Sequence, residues 1–148
     1  MRIRIVAVGS RMPQWVDAAC TDYLKRFGRD TRISLVEIAT RAASAKQEGE
    51  RLLAALEERE HVVALDERGR ELTTRELATW LEARRADGRD LAFVIGGADG
   101  LAPEVRARAD LQLALSRLTL PHALARVLLV EQLYRAHTVL ANHPYHRD

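Results

Sequence analysis

The sequence predicts one α/β domain spanning residues 1–148, with a mainly parallel sheet and helices on both of its faces. Strand and helix patterns alternate along almost the whole chain, which favours parallel strands joined by crossover helices. The length of 148 residues is typical of one domain. No linker, internal repeat or biased tract divides the chain.

The first half of the chain contains the first three predicted strands. A strand over Ile3–Val8 is followed by an amphipathic helix, whose apolar residues recur with a period of 3.6. These apolar residues are Trp15, Val16, Ala19, Cys20, Tyr23, Leu24 and Phe27. Ile33–Ile38 is the second predicted strand. Ser44 and Gln47 have the spacing of a capping box, which predicts a helix to about Leu56, and Val62–Leu65 is a short apolar strand.

The second half begins with another capping box. Thr73 and Glu76 open a helix that contains Leu77, Trp80 and Leu81. Leu91–Ile95 is the fourth strand and ends at two glycines. Pro103 suits the first turn of a short helix. Leu111–Leu115 is the fifth strand, and the last helix covers about Ala123–Ala141.

The last helix is apolar around most of its circumference, which is typical of a helix buried on most sides. One stripe holds Leu124, Val127 and Leu128, and another holds Leu129, Leu133, Ala136 and Leu140. In so short a chain a second subunit is the more plausible cover for the extra apolar surface. We therefore expect a homodimer, with the stripe that contains Leu133 and Leu140 exposed on the single chain.

Composition excludes several classes of protein. Hydrophobic residues are 47% and charged residues 30% of the chain, which argues against disorder. No apolar run approaches the roughly 18 residues of a membrane span. Cys20 is the single cysteine, so no intrachain disulfide forms, and we expect it in the core of a reduced, cytoplasmic protein. The net charge of +2 only weakly indicates an anionic partner.

Three strand ends are candidate parts of a binding site, because ligands of open α/β sheets bind beyond the carboxyl ends of the strands. They are Leu65-Asp66, the glycine turn Ile95–Leu101 and the segment Leu115–His122. The glycine turn allows close backbone approach to a ligand, although a tight strand-to-helix turn needs glycine for geometry alone.

Several familiar chemistries do not match these segments. The glycine turn is not GxGxxG and does not follow the first strand, and no Walker A loop is present. Ser116 and Thr119 lack the context of a hydrolase nucleophile. Although four histidines lie in the last 27 residues, no cysteine or carboxylate cluster accompanies them, so we predict no metal site.

The tail Asn142–Asp148 combines an aromatic residue, two histidines and an arginine. Tyrosine can stack on a nucleobase, and arginine can bind phosphate or a carbonyl edge. A frayed polar end is the equally weighted alternative from composition alone.

Together, FVIGGADGL, the segment LSRLTLPH and the ending NHPYHRD resemble one known family. These are the SPOUT-class methyltransferases that modify N3 of a pseudouridine in large-subunit ribosomal RNA. The start, IVAVGSRMPQWV, is similar too, so the resemblance covers essentially the whole chain. It implies a C-terminal trefoil knot, a homodimer, S-adenosylmethionine as cofactor and the large subunit or assembled ribosome as substrate, with no metal and no membrane.

The resemblance also implies site residues. Those that contact the cofactor are Leu65, Gly97, Leu115, Ser116, Arg117, Leu118, Thr119 and Leu120. Those on the substrate side are His122, Arg135, Tyr145, His146 and Arg147, with the tail reaching the cofactor of the partner subunit. Where the family pattern has Pro-Glu after the two glycines, this chain has Ala98-Asp99. Two alternatives stay open: a SPOUT methyltransferase for another RNA, such as transfer RNA, and a non-catalytic RNA- or nucleotide-binding domain.

Overall fold

The computed structural model describes residues 1–39 and 44–147. The strands are β1 (Arg2–Val8), β2 (Arg32–Ile38), β3 (His61–Glu71), β4 (Leu91–Ile95) and β5 (Leu111–Ala114). The helices are α1 (Gln14–Leu24), α2 (Ala45–Ala55), α3 (Thr74–Asp87), α4 (Pro103–Arg108) and α5 (His122–Leu140).

The five strands form one sheet in the order β2-β1-β4-β3-β5, and every pairing is parallel. Ile5 in β1, for example, lies beside Leu35 of β2 and Phe93 of β4. Because all strands run the same way, their carboxyl ends share one edge of the sheet. The prediction of a mainly parallel α/β fold is confirmed.

Helices cover both faces of the sheet and enclose two cores. One core holds Ile5 and Phe93 against α1, α3 and α5, and the other holds Val6 and Val94 against α2 and α4. This alternation follows the two-residue period of a strand, which turns successive side chains to opposite faces. Cys20 is 2% exposed in the first core, as predicted, and burial raises the pKa of its thiol.

The predicted helix starts are confirmed by their caps. The hydroxyls of Ser44 and Thr73 accept hydrogen bonds from the amides of Gln47 and Glu76, whose side chains accept from the cap amides in return. Each box satisfies two backbone donors that a helix leaves unpaired at its start. Pro103 occupies the first turn of α4, also as predicted.

The prediction for α1 was wrong at both ends. Trp15 is 54% exposed, because it lies about 100° around the helix from Val16 and thus beside the buried stripe. Phe27 lies beyond the helix, which ends at Leu24. It still packs on Tyr134, with ring centroids 5.5 Å apart.

β3 is an eleven-residue strand rather than the short Val62–Leu65. Its pairing with β5 breaks after Leu65 and resumes at Arg70, so the intervening residues bulge from the ladder. A Cβ on Gly69 would lie 2.7 Å from the backbone of Gln112, which explains glycine at this crossing. Residues 66–68 therefore lie in β3 without a paired residue in β5.

The expectation that Leu133 is exposed was wrong. Leu133 is 1% exposed and packs with Leu129 and Ala136 in the chain's own core, while Leu140 lies partly buried against it. The outward face of α5 instead carries Leu124 and Leu128, which are half-buried and lie outside both core clusters. If a second subunit covers α5, it covers this face.

A buried arginine joins α5 to the edge of the sheet. Arg126 is 1% exposed, and its guanidinium donates to Glu37 Oε2 of β2 at 2.8 Å and to the Gly9 carbonyl at 3.1 Å. Gly9 follows β1 and has a φ of 120°, a conformation that favours glycine. Arg126 thus fixes the start of α5 against the carboxyl end of β1.

Among residues 1–39 and 44–147, no helix is long and apolar enough to cross a membrane.

Candidate functional site

A cavity of about 820 Å³ opens beside the bulge of β3 and the carboxyl ends of β4 and β5. Its walls are the β3 bulge, the glycine turn after β4 and the connection from β5 into α5, so Leu65-Asp66, predicted as a strand end, lies at a bulge within β3. This is the position at which open parallel sheets bind ligands.

The first wall carries a buried carboxylate. Asp66 has a side chain only 10% exposed, and its Oδ1 accepts a hydrogen bond of 2.8 Å from the backbone amide of Arg68. Its Oδ2 lies 3.4 Å from Arg106 Nη1 of α4. One negative and one positive side chain therefore meet on the cavity wall.

The second wall is the turn between β4 and α4. A Cβ on Gly96 would lie 2.7 Å from the Gly100 backbone, and Gly100 has a φ of 76°. Both positions therefore require glycine. A Cβ on Gly97 would lie 3.2 Å from Val8 and from Glu48, so its tight packing is against β1 and α2.

The third wall is the segment between β5 and α5. The hydroxyl of Ser116 accepts a hydrogen bond of 2.9 Å from the Leu118 amide, which shapes the loop. The Thr119 hydroxyl donates to Glu67 Oε2 at 3.0 Å and so links this wall to the β3 bulge. The Leu118 side chain lines the cavity and is 74% exposed, so its apolar surface is accessible to a ligand.

The structure brings most of the predicted cofactor residues to this cavity. Its lining includes Leu65, Gly97, Leu115, Ser116, Leu118, Thr119 and Leu120. Arg117 is outside the lining: its side chain is 87% exposed, with Nε 3.9 Å from Glu71 Oε1. Their contact with a cofactor stays a prediction.

The predicted substrate-side residues lie at two ends of α5. His122 begins the helix and lines the cavity. Arg135 lies 13 residues later, which at 1.5 Å per residue is about 20 Å along the axis. Tyr145 and His146 lie near Arg135, and Arg147 is exposed beyond them. One chain therefore brings His122 to its own cavity, whereas Arg135, Tyr145, His146 and Arg147 are not part of the cavity lining.

The tail folds back onto α5. The Tyr145 hydroxyl donates to Glu131 Oε2 at 2.9 Å, and its ring meets Tyr134 edge-on at 4.8 Å. Arg135 donates to the same carboxylate at 3.0 Å and to the His146 carbonyl at 3.4 Å. Burial, followed by the hydrogen bonds with Tyr23 and Glu131, raises the pKa of Tyr145 well above its usual range. The phenol stays protonated, so it is a hydrogen-bond donor rather than a base.

Sequence reasoning missed two charged parts of the cavity. Arg106 was assigned only to a short helix, and the bond between Glu67 and Thr119 had no signal in the sequence. The position of Arg106 one turn after the glycine turn was the available hint.

Among residues 1–39 and 44–147, no group of three or more histidine, cysteine or acidic side chains could hold a metal.

Comparison with known proteins decides the family. A model described as a predicted SPOUT methyltransferase matches residues 1–146. The chain belongs to the SPOUT methyltransferase family. Curated relatives span it from end to end, and those of Chromobacterium violaceum and Burkholderia pseudomallei strain 668 are each 51% identical. The alignments cover 100% of this chain and of the first relative, and 99% of each for the second. Both relatives are named ribosomal RNA large subunit methyltransferase H.

A solved structure agrees on the fold. The probable methylase family protein from Haemophilus influenzae Rd KW20 matches with a TM-score of 0.59 at 20% identity. The match covers 97% of this chain and 69% of that one. At this identity the likeness concerns the fold alone.

Proposed function

We propose that this SPOUT methyltransferase transfers a methyl group from S-adenosylmethionine to N3 of a pseudouridine in large-subunit ribosomal RNA, on the assembled ribosome. The observation that carries the proposal is the convergence of seven predicted cofactor residues on one cavity, beside the β3 bulge and the carboxyl ends of β4 and β5. The full-length relatives, whose name specifies ribosomal RNA of the large subunit, support the choice of substrate.

The cavity has the chemistry that S-adenosylmethionine requires. Leu65, Leu115 and Leu120 offer apolar contact for an adenine ring, and the glycine turn offers backbone amides and carbonyls at close range. Arg106 and Asp66 offer both signs of charge. When bound, the cofactor supplies an electrophilic methyl group on its sulfonium. The residues of the three walls would hold the cofactor in a fixed position relative to the substrate base, and such positioning supplies a large share of the rate of a methyl transfer.

The attacking nitrogen of an imide must lose a proton. Three side chains are candidates for handling this step: His122 and His146 as proton acceptors, and Arg135, whose guanidinium stays protonated, as the charge that stabilises the resulting anion. Arg135 stabilises a developing anion on the base electrostatically. Tyr145 keeps its own proton and orients Glu131, which holds Arg135 in place.

The site requires two copies of the chain. His122 and Arg135 lie about 20 Å apart along α5, so the tail of one copy would have to meet the cavity of another. Leu124, Leu128, Glu131 and Arg135 follow at intervals of four, three and four residues, so they share one face of α5. A homodimer on this face would cover the apolar pair and bring tail and cavity together. The trefoil knot of the family stays a prediction.

The proposal is tested by mass spectrometry of RNA from a strain that lacks the gene. We expect one pseudouridine in large-subunit ribosomal RNA to lose a mass of one methyl group, and the wild-type gene to restore it. Loss of a methyl group from transfer RNA instead would show another substrate. Unchanged RNA in both fractions would favour a non-catalytic binding domain.

A further inference from the structure

One ion pair lies inside the cavity rather than on the surface around it. The Arg106 guanidinium on α4 and the Asp66 carboxylate on the β3 bulge both line the cavity, with Nη1 and Oδ2 3.4 Å apart. Asp66 is 10% exposed, whereas Arg106 is 41% exposed. Since a guanidinium carries five N–H donors, most of those on Arg106 stay available to a ligand.

The pair is poorly explained by stability alone. A separation of 3.4 Å is long for a charge-assisted hydrogen bond, which usually measures 2.7–2.9 Å. By contrast, Arg4 Nε of the structural pair with Glu60 donates at 2.8 Å. Asp66 is also fixed by the Arg68 amide at 2.8 Å, so it is positioned without Arg106.

We propose that Arg106 and Asp66 form the subsite for the charged methionine end of the cofactor, with Arg106 binding its carboxylate and Asp66 its ammonium group. The inference rests on the proposed function and names how the same cavity holds one end of the ligand. An amino acid carries both charges on one carbon, and the two side chains present the complementary charges side by side. A phosphate of RNA would gain from Arg106 but would be repelled by the Asp66 carboxylate.

Arg68 is the competing cation. It also lines the cavity, but its side chain is exposed and extends from the bulge, whereas Arg106 lies on a helix packed against the sheet. A guanidinium on a fixed element loses less conformational freedom when it binds a carboxylate. This difference favours Arg106.

Calorimetry with two adenosine ligands tests the subsite directly. S-adenosylhomocysteine carries the amino and carboxyl groups, and 5′-methylthioadenosine lacks both while keeping the adenosine and the sulfur. We expect Arg106→Gln to weaken binding of the first at least tenfold and of the second less than twofold. Arg108→Gln is the matched control, because Arg108 lies on the same helix but donates to the carbonyls of Glu57, Glu58 and Glu60. It should leave the ratio of the two affinities unchanged.

A second measurement uses the wild-type protein, so its result does not depend on whether the variants fold. Decarboxylated S-adenosylmethionine should bind at least tenfold more weakly than S-adenosylmethionine itself. Equal affinities would overturn the subsite while leaving the proposed function intact. The subsite would also be overturned if Arg68→Gln, but not Arg106→Gln, changed the ratio of the affinities for S-adenosylhomocysteine and 5′-methylthioadenosine. If the wild type binds none of these ligands, the proposed function fails first.

Discussion

The hydroxyl of Tyr145 donates a hydrogen bond of 2.9 Å to Glu131, which ties the C-terminal tail to the outer face of α5 in the same chain. The same carboxylate accepts from Arg135 at 3.0 Å. The tail is therefore part of the folded structure rather than a frayed end, at least through His146. Glu131 connects the two groups that the proposed mechanism places near the substrate base.

Tyr145→Phe tests this connection. The variant keeps the ring on Tyr134 and loses the hydrogen bond, so we expect unfolding free energy to fall by about 1 kcal/mol. The rate of ribosome methylation should fall by more than the loss of folded protein explains. The reason is that Tyr145 no longer holds the Glu131 carboxylate, which positions Arg135. Urea unfolding and an initial-rate assay measure the two effects. Equal rates in variant and wild type would show that the bond serves the fold alone.

Arg147→Ala tests whether the tail acts on the substrate. Arg147 is exposed, so the substitution should leave stability and cofactor affinity unchanged. We expect the methylation rate at saturating cofactor to fall at least tenfold, equivalent to about 1.4 kcal/mol of transition-state stabilisation. Arg59→Ala is the control, because Arg59 is also an exposed arginine but lies in the turn before the amino end of β3. A wild-type rate in Arg147→Ala would exclude a role for this side chain.

Leu128→Glu tests the dimer. The residue is half-buried on the outward face of α5, where a charge stays partly hydrated in a single chain and would be fully desolvated if a second subunit covered it. We expect sedimentation equilibrium to show folded monomers for Leu128→Glu and dimers for wild type. Ala83→Glu on the exposed side of α3 should remain dimeric. Leu133→Glu should unfold the protein, since Leu133 lies in the core. A monomeric wild type at micromolar concentration would exclude the dimer.

Arg126→Met tests the anchor between α5 and the sheet. The substitution leaves the Gly9 carbonyl without its side-chain donor and Glu37 without its partner. Glu37 is 40% exposed and can be hydrated, so we expect a loss of roughly 2 kcal/mol rather than the larger penalty of a fully buried charge. Chemical unfolding measures the loss, and a change below 0.5 kcal/mol would contradict the assigned role.

Acid should weaken the fold through Glu60. Burial alone would raise the pKa of this carboxyl, but hydrogen bonds from Arg4 and from the Glu57 amide outweigh it and lower the pKa below the ordinary 4.5. The ion pair therefore stabilises the fold above about pH 4.5 and is lost as pH falls through the lowered pKa. Glu60→Gln should cost about 3 kcal/mol at pH 7 and progressively less below pH 4. A cost independent of pH would contradict the ion pair.

The sequence predicted the fold well wherever the pattern was local. Capping boxes at Ser44 and Thr73 and the apolar run Leu91–Ile95 are decided by neighbouring residues. Trp15 was misplaced because it was grouped with Val16, although adjacent residues of a helix point about 100° apart and only Val16 faces the core. Leu133 was misplaced because periodicity shows two apolar stripes on α5 without saying which one meets the sheet.

The site was less accessible from sequence. The glycine turn and the segment Leu115–Leu120 were found as strand ends. The β3 bulge that projects Asp66 depends on pairing with β5, a contact between residues more than 40 positions apart. The meeting of Asp66 with Arg106 depends on the same long-range packing.

The most direct test of the account is methyl transfer with purified components. The protein is incubated with S-adenosylmethionine carrying a labelled methyl group and, separately, with assembled ribosomes, deproteinised ribosomal RNA and transfer RNA from a strain that lacks the gene. We predict label in one pseudouridine of the large-subunit RNA, only when ribosomes are the substrate. Label in transfer RNA, or no label in any RNA under conditions where the cofactor binds, would contradict the account.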